Sequence, residues 1–323
     1  MPLDDDQRAL AARVSNWGRW GDDDQRGTLN LIDEAATLRG VRAVRSGRSF
    51  PLAIGVGARG PQTGRIPGRT NPTHTMTAVS FAFTGDPGDF QTSDDKIESG
   101  THSTTHWDAL AHAGYDNLLF NGRPNTVVTQ DDGATELGID RFGPVVSRGL
   151  LCDVARLKGV EWFDEPYAIT GADLDACLEA AGLAVEPGDI VLVRTGQIHW
   201  FKAGDNQRYA DISPGIGLDA VEWLQRHDVA GVANDTHVFE PYPCPGSNPF
   251  LFPVHLITLR DVGMPQGQQW DLDDLAADCA ADGQYEFLLS ATPIPVTHGC
   301  GGIVARSEEH TSELQSRFGI SYA

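Results

Sequence analysis

The alternation of helix-type and strand-type segments in the middle of the chain constrains its fold more than any other feature. Residues 172–182 (ADLDACLEAAG) form a predicted helix that ends at Gly182, and residues 218–227 (LDAVEWLQRH) form an amphipathic one. Each is followed by an apolar run, GDIVLVRTG at 188–196 and VAGVAND at 229–235. The first run is typical of a strand that is buried on both faces. Helices and buried strands in this order are the pattern of βαβ units, so the sequence predicts an α/β core.

The rest of the sequence extends this core without indicating a second domain. The same reasoning predicts helices at 29–45 and 271–282 and strands at 76–83, within 145–155 and at 285–291. A chain of 323 residues is long enough for two domains, but no internal repeat or flexible interdomain linker divides it. We therefore predict one α/β domain over 51–305, with an N-terminal extension, 1–50, that packs on it.

The last residues, 306–323 (RSEEHTSELQSRFGISYA), differ abruptly in polarity from the apolar, glycine-rich stretch before them. Residues 306–316 resemble one reading frame of a sequencing-library adapter. We therefore predict that this tail is an artefact of sequence assembly that replaced the true C-terminus. A polar C-terminal extension is the less favoured alternative. Under both interpretations His310 is not expected to be a ligand.

Charge and cysteine usage exclude several classes of function. The chain has 45 Asp and Glu against 24 Lys and Arg, a net charge of -21, and such a surface repels nucleic-acid phosphates and anionic lipids. No apolar run approaches the ~18 residues of a membrane-spanning helix, and the first residues lack the basic and apolar regions of a secretory signal. The five cysteines are scattered and form no CxxC pair, which fits a reducing compartment. We expect a cytoplasmic protein without nucleic-acid or membrane partners.

The segment 100–116 (GTHSTTHWDALAHAGYD) holds the densest group of metal-binding and proton-transferring side chains. Within eleven residues it places His102, His106, Asp108 and His112. A regular helix would turn the aspartate away from the first two histidines, and a regular strand would separate those histidines by about 13 Å. A tight irregular turn meets both demands, and the glycine and hydroxyl residues of the segment permit one. The spacing favours a metal site over a polar loop with incidental histidines.

The same segment resembles the H-x-G-T-H-x-D-x-P-x-H motif of the metal-dependent cyclase family, which includes bacterial kynurenine formamidases and isatin hydrolases. The positions that match in register are His102, Thr105, His106, Asp108 and His112. Thr104 stands where the motif has Gly, and Leu110 or Ala111 where it has Pro. Both departures concern loop backbone rather than ligands.

The resemblance extends over most of the chain, to about residue 300. The segments that carry it are 16–32 (NWGRWGDDDQRGTLNLI), 188–196, 233–243 (ANDTHVFEPYP) and 255–297. It implies a swivelling β/β/α, cyclase-like fold in a homodimer or homotetramer.

The resemblance also implies a ligand set. His102, His106 and Asp108 correspond to metal ligands, and His112 to the catalytic histidine beside the metal. A divalent ion held by two imidazoles and one carboxylate keeps open positions for water and substrate.

His255 matches a histidine that helps to hold a second zinc in binuclear formamidases. The carboxylate that usually accompanies that histidine is replaced by Gln268, and a neutral amide is a weaker ligand for a hard cation. We therefore expect one divalent ion, zinc or manganese, with a second ion disfavoured. Gln268 is expected to contact the ion, a bound water or the substrate.

These groups predict hydrolysis. The ion lowers the pKa of a bound water towards ~7 and polarises a carbonyl, while His112 can accept the water proton and return it to a leaving nitrogen. We therefore expect a metal-dependent hydrolase of amide, lactam or aryl-formamide C–N bonds in a small, aromatic or cyclic substrate. The alternatives are lactone or ester hydrolysis or cyclisation at the same site, and a non-catalytic metal-binding or small-molecule-binding protein. The absence of a GxSxG motif argues against a serine hydrolase.

Three candidates follow a predicted buried strand, where α/β folds place ligand-contacting groups. Asp235 is a candidate for substrate contact, whereas a solvated loop position is the favoured interpretation of His237. Glu240 either supports a metal ligand or lies in a surface turn. Arg194 could pair with a substrate carboxylate, although a structural ion pair is favoured.

The N-terminal part of the chain adds weaker candidates. Residues 54–73 are rich in Gly, Pro and Arg and predict a long loop that is mobile or covers a pocket. His74 follows this loop and is a candidate for the site entrance. Trp17 and Trp20 either cap a pocket for an aromatic substrate or belong to the core.

Overall fold

The computed structural model describes residues 3–244, 251–304 and 307–309. The helices in these ranges are α1 (Asp5–Val14), α2 (Glu34–Ala43), α3 (Val154–Leu157), α4 (Gly171–Ala181), α5 (Ile198–Lys202), α6 (Asn206–Asp211), α7 (Leu218–Arg226), α8 (Pro253–Ile257) and α9 (Asp273–Asp282). Shorter 3₁₀ turns cover Gly27–Leu31, Phe120–Gly122, Asn125–Val127 and Ile139–Arg141, and a π-helical turn covers Thr258–Val262. None of the helices in these ranges has both the length and the apolar character needed to cross a membrane.

The strands of the described residues are mostly short. They are β1 (Ser49–Pro51), β2 (Thr73–Ala82), β3 (Gln91–Glu98), β4 (His106–Asp108), β5 (Val128–Thr129), β6 (Gly133–Ala134), β7 (Val146–Asp153), β8 (Ala168–Ile169), β9 (Ile190–Arg194), β10 (Gly215–Ile216), β11 (Gly231–Asn234), β12 (Gln266–Gln268), β13 (Glu286–Ser290), β14 (Gly301–Ile303) and β15 (Ser307–Glu309).

Seven of these strands form a mixed sheet in the order β13-β7-β9-β11-β12-β4-β14. The four central strands β7, β9, β11 and β12 run parallel, whereas β13, β4 and β14 pair antiparallel with their neighbours. The connections between β7, β9 and β11 contain α4 and α7, as the βαβ pattern requires. The predicted α/β fold class is confirmed.

Both faces of β9 are buried, which explains its continuous apolar run. Val191 and Val193 pack on one face in a cluster with residues of α1, α4 and α7. Ile190 and Leu192 pack on the other face in a cluster with Trp107 and residues of α9. Successive side chains of a strand point to opposite faces, so a strand between two helical layers needs apolar residues at every position.

The helix predicted at 29–45 is divided in the structure. A 3₁₀ turn covers Gly27–Leu31, and α2 starts after Asp33, whose carboxylate accepts a hydrogen bond of 2.8 Å from the backbone N–H of Ala36. This N-cap starts a new helix that the apolar spacing alone does not reveal. The other predicted helices and strands are present with shifted ends, and α4 ends as expected at Gly182, whose φ of 67° is left-handed.

Both ends of the chain contact the central domain. In α1, Leu10 and Val14 are buried in the same cluster as residues of α4 and α7. β15 pairs antiparallel with β1, although it lies in the tail 306–323 that we predicted to be an artefact. The remainder of that tail lies outside the described residues, and its origin stays a prediction.

The short strand β4 carries two of the predicted metal ligands, His106 and Asp108. It is paired on both sides, with β12 and with β14. His106 and Asp108 point to one face of the sheet and Trp107 points to the other, because side chains alternate along a strand. The Trp107 indole donates a hydrogen bond of 2.8 Å to the carbonyl oxygen of Ala291, and its ring lies edge-on against Trp270 with centroids 5.1 Å apart. Trp107 therefore anchors the strand that presents the ligands.

Replacing Trp107 tests this anchor. We expect Trp107→Ala to lower the free energy of unfolding by about 3–5 kcal/mol, because it removes a large buried side chain. Trp107→Phe keeps one aromatic ring but loses the N–H donor and part of the buried ring, so its cost should be smaller, about 1–3 kcal/mol. Urea unfolding of both variants measures the difference. Equal stability of wild type and the alanine variant would contradict the anchoring role.

Candidate metal centre

The four clustered groups come from one strand and the two turns that flank it. β4 supplies His106 and Asp108, the preceding turn supplies His102, and the following turn supplies His112. The prediction of an irregular turn is correct for the outer two residues. It is wrong for the inner two, which lie on a strand and share a face because they are two positions apart.

One carboxylate oxygen is the centre of this cluster. Oδ1 of Asp108 lies 3.3 Å from Nε2 of His106, 3.4 Å from Nε2 of His102 and 4.0 Å from Nε2 of His112. Tetrahedral ligands at ~2.1 Å from an ion lie about 3.4 Å from one another, so the first two distances are those of ligands of one ion. Ligand atoms of His102, Asp108 and His112 also lie within 4.8 Å of one another.

Three buried atoms at this point lack a hydrogen-bond partner among the described residues: His102 Nε2, His106 Nε2 and Asp108 Oδ1. Nδ1 of His106 lies 2.7 Å from the carbonyl oxygen of Thr104 and must donate to it. With Nδ1 as the donor, a His106 ring that binds a metal would direct the lone pair of Nε2 towards the buried carboxylate oxygen. This arrangement is unfavourable in a dry interior unless a cation lies between the two atoms. Imidazoles and a carboxylate suit zinc or manganese.

Burial also keeps two of the imidazoles neutral. It lowers the pKa of His102 well below its ordinary value and, with help from nearby cationic groups, lowers the pKa of His112 to about 4. Both rings therefore carry a free lone pair near pH 7, as a metal ligand or a proton acceptor must.

The second oxygen of the carboxylate is occupied by amides. Oδ2 of Asp108 accepts hydrogen bonds from Nε2 of Gln268 at 2.8 Å and from Nε2 of Gln266 at 3.3 Å. The Gln268 amide also lies 3.3 Å from Nε2 of His255. Gln268 thus bridges the Asp108 carboxylate and His255. It belongs to the site through its contact with Asp108. Gln266, two positions earlier on β12, shares this face and was not among the predicted site residues.

His255 is oriented by a carboxylate on a distant loop. Its Nδ1 donates a hydrogen bond of 2.7 Å to Glu240, which also accepts from the backbone N–H groups of His255 and Val254. Glu240 is buried, so it does not lie in a surface turn, and its contact is with the ring of His255. Carboxylate–histidine pairs of this kind fix the ring and its tautomer.

Two residues near the C-terminal end of the domain also shape the site. Gly301 pairs with Asp108 in the sheet, and a Cβ at Gly301 would overlap Nε2 of His102 and lie 2.8 Å from its Cδ2 and Cε1. The turn that carries His102 therefore requires glycine there, which no local sequence signal reveals. Burial and the Asp108 carboxylate raise the pKa of the Cys300 thiol, so this distant cysteine approaches the site protonated.

Three predicted residues lie elsewhere. His74 is exposed on β2, where it pairs with Asp95 at 2.8 Å, and it is not among the residues that line the cavity beside the cluster. Arg194 forms ion pairs with Asp153 at 3.1 Å and Asp273 at 2.9 Å. The structure thus shows the ion pairing that was the favoured interpretation of Arg194.

Asp235 is fully buried and is also structural. It accepts hydrogen bonds of 2.6–2.9 Å from the Thr195 backbone, the Thr195 hydroxyl and the backbone of Gly196. These bonds join the ends of β9 and β11. Burial raises the pKa of Asp235 to about 6.

A cavity of about 280 Å³ adjoins the cluster and is lined in part by His112, His255 and Gln268. It is also lined by His237, which is only 4% exposed, so the interpretation of His237 as a solvated loop residue is wrong. Arg69, from the predicted loop 54–73, lines the same cavity. Sequence reasoning missed Arg69, although the loop has three arginines and no acidic residue to pair with them.

The two N-terminal tryptophans pack on the core. Trp17 donates a hydrogen bond of 2.6 Å to the backbone carbonyl of Arg260. Trp17 and Trp20 pack against the cluster that contains Leu110 and Phe120. Between the two interpretations of these tryptophans, the core position is the one observed.

Comparison with known proteins places the chain among cyclases. A family model described as “Putative cyclase” matches residues 51–241, more than half of the chain. A solved structure described as a novel cyclase is 35% identical, with a TM-score of 0.84 over 93% of this chain and 98% of that chain. No curated protein sequence matches.

Two further solved structures share the fold at lower identity. Isatin hydrolase A from Ralstonia solanacearum is 19% identical, with a TM-score of 0.59 over 81% of this chain and 91% of that chain. A predicted metal-dependent hydrolase from Bacillus stearothermophilus is 16% identical, with a TM-score of 0.51 over 83% of this chain and 100% of that chain. The predicted cyclase-like fold is confirmed.

The close approach of Gly301 to His102 gives a test of the centre. We expect Gly301→Ala to weaken zinc binding on the order of 10- to 100-fold, because the added methyl group displaces the His102 ring. Gly47→Ala is the control, since its methyl group would meet no atom within 4 Å. Competition with a chromophoric chelator measures both affinities. Equal zinc affinity of the two variants would contradict the assigned position of His102.

Proposed function

This chain belongs to the cyclase family, and we propose that it is a metal-dependent hydrolase of amide, lactam or aryl-formamide C–N bonds in a small molecule. The observation that carries the proposal is the convergence of His102 Nε2 and His106 Nε2 on Asp108 Oδ1. All three atoms are buried and lack a hydrogen-bond partner in the described part of the chain. A divalent ion, zinc or manganese, is the partner whose charge and bond lengths suit such a set.

The proposal includes a single ion, held by His102, His106 and Asp108. A second ion beside His255 would need Oδ2 of Asp108 and Nε2 of His255 as ligands. Both atoms instead face the amide nitrogen of Gln268, at 2.8 and 3.3 Å. Because the amide supplies protons to both, it takes the place that a second cation would occupy.

Each residue then has a role in hydrolysis. The bound ion would supply a water of lowered pKa and polarise the scissile carbonyl. His112, next to the cluster and facing the cavity, accepts the proton of the attacking water and returns it to the leaving nitrogen. Glu240 positions His255, and His255 with Gln268 holds the Asp108 carboxylate in place.

The cavity favours a small, compact substrate. Its volume of about 280 Å³ is close to the smallest volumes that ligand pockets usually have, about 300 Å³. Apolar side chains, among them Ile66, Phe252 and Leu256, face the polar groups across it. An aromatic or cyclic amide presents a flat apolar surface and one polar reacting bond, which suits this lining.

We also propose that the protein is a homo-oligomer that assembles through the β2–β3 hairpin. Val79, Phe83 and Phe90 on this hairpin are 70%, 69% and 73% exposed, and the two phenylalanine rings stack with centroids 6.1 Å apart. A two-stranded hairpin is marginally stable alone, and clustered exposed apolar side chains are typical of a contact surface. A second copy of the chain is the partner that the cyclase-like resemblance implies.

Metal content and turnover of variants test the hydrolase. Purified protein should contain about one equivalent of zinc or manganese by elemental analysis, and Asp108→Ala should lose it. His112→Ala should keep the metal while turnover falls by about 10²- to 10⁴-fold on a panel of aryl-formamides, anilides and lactams. Including the matching esters and lactones in the panel identifies the bond that is cleaved.

Three outcomes would contradict parts of this assignment. Folded protein without metal, even after reconstitution with zinc and manganese, would exclude the metal-dependent mechanism. Two equivalents would show that Gln268 does not replace a second ion. Unchanged turnover in His112→Ala would remove the proposed proton acceptor.

Light scattering on a sizing column tests the assembly. We expect a mass of at least twice the 34.8 kDa of one chain. Substitution of both Phe83 and Phe90 by Ser should shift the mass to that of a monomer, because it removes the apolar contact. Ile294→Ser is the control, since Ile294 is an exposed apolar residue outside the hairpin. A monomeric wild type would contradict the proposed assembly.

A further inference from the structure

The cavity beside the metal cluster contains two basic side chains that the proposed reaction does not use, Arg69 and His237. Both line the cavity together with His112, so a molecule that occupies it meets all three side chains. The proposed hydrolysis accounts for His112 only. The chemistry of the other two indicates what else the substrate carries.

Arg69 is a shielded guanidinium without a carboxylate partner in the described part of the chain. The two buried arginines in the described part of the chain each have one: Arg148 binds Asp189 at 2.6 Å, and Arg260 binds Asp261 at 2.5 Å. Arg65, four positions before Arg69 in the same loop, binds Asp211 at 2.6 Å. Burial lowers the pKa of Arg69, and the Asp108 carboxylate opposes this effect only in part.

His237 is the second donor without a partner. It is buried, and neither of its ring nitrogens has a hydrogen-bond partner among the described residues. The Tyr209 ring packs edge-on against it with centroids 5.6 Å apart. Burial and then Arg69 lower the pKa of His237 to about 3, so it is neutral near pH 7 and offers one N–H group. A buried polar group left without a partner is costly, and a ligand can supply that partner.

The carboxylates near the cavity are already occupied. Asp108 faces the imidazoles and the amides of β12, and Glu240 accepts three hydrogen bonds from the start of α8. An anion that enters the cavity would therefore find the donors of Arg69 and His237, which are unpaired within the described residues, while the lone pairs of Glu240 and of Asp108 Oδ2 are already used in hydrogen bonds.

We propose that Arg69 and His237 bind a carboxylate that the substrate carries in addition to its scissile C–N bond. The substrate class is then an aryl or cyclic amide that bears a carboxylate. This inference rests on the proposed hydrolase function and adds to it the part of the substrate that the cavity recognises. Arg69 supplies two parallel N–H groups and the charge, and His237 supplies one further N–H group. Both are binding residues, and the bond cleavage itself uses the metal cluster and His112.

Matched substrates test the inference on the metal-loaded protein. The probes are the three formamidobenzoate isomers, which bear a carboxylate, and formanilide, which lacks one. Wild type should hydrolyse at least one isomer with a higher kcat/KM than formanilide. Arg69→Gln should lower kcat/KM for that isomer on the order of 10- to 100-fold, chiefly through KM, and should lower it much less for formanilide.

Further variants separate binding from folding. Arg69→Lys keeps the charge and should restore part of the loss, and His237→Phe should weaken the same isomer selectively. Arg59→Gln is the matched control, because Arg59 is an exposed arginine of the same loop, and it should change neither substrate. An equal loss for formamidobenzoate and formanilide in Arg69→Gln would overturn the inference. Unchanged kinetics for both substrates would also overturn it.

Direct binding keeps the inference testable if neither formamide is cleaved. Calorimetry with benzoate and benzamide measures whether the cavity prefers an anion. Benzoate that binds wild type and Asp108→Ala, but not Arg69→Gln, would support the carboxylate site even if the proposed hydrolysis failed. Benzoate that binds Arg69→Gln but not Asp108→Ala would locate the anion at the metal and overturn the inference. The carboxylate product of formanilide hydrolysis is formate. If formate inhibits wild type tightly and Arg69→Gln abolishes that inhibition, Arg69 binds this product, and the inference is overturned.

Discussion

A buried carboxylate, Asp108, is the constraint on which the surrounding structure depends. A charge in a dry interior is tolerated only when its lone pairs are satisfied, and in Asp108 the side chains of the described residues satisfy one of the two oxygens. Oδ2 accepts hydrogen bonds from the amides of Gln266 and Gln268. Oδ1 faces imidazole nitrogens and has no hydrogen-bond partner among the described residues. The same side chain therefore closes one half of the site and leaves the other half ready for a cation.

The sheet makes this arrangement rigid. β4 is only three residues long, but it is paired with β12 and β14 on its two sides. β12 brings its glutamines alongside His106 and Asp108, and β14 brings Gly301, whose missing side chain leaves room for the His102 ring. Trp107 fixes the opposite face of the strand in the core. Ligands held on a paired strand keep their separation, which a mobile loop could not ensure.

The remainder of the site comes from segments distant in sequence. Glu240 follows β11, and it orients His255 at the start of α8 by binding that helix at three N–H groups. Arg69 arrives from the loop before β2, and His237 from the loop after β11. The metal cluster is thus a local feature of one segment, whereas the cavity beside it is assembled from several.

The α/β core and the close grouping of four histidine and aspartate side chains follow from the local sequence. Helical and strand periodicity are properties of neighbouring residues, and His102, His106, Asp108 and His112 lie within one short segment, so their proximity follows from chain connectivity. Four polar residues lie at the end of a buried strand or in the loop after one, and the sequence does not distinguish their roles: Arg194, Asp235, Glu240 and His237. Their roles depend on the tertiary structure. Two of them are consumed by structural bonds, one positions a histidine, and one faces the cavity without a partner. Their roles depend on contacts with residues that are remote in the chain, such as Asp273 for Arg194 and the start of α8 for Glu240. The order of strands in the sheet and the packing of loops set those contacts, and the spacing of residues along the chain predicts neither.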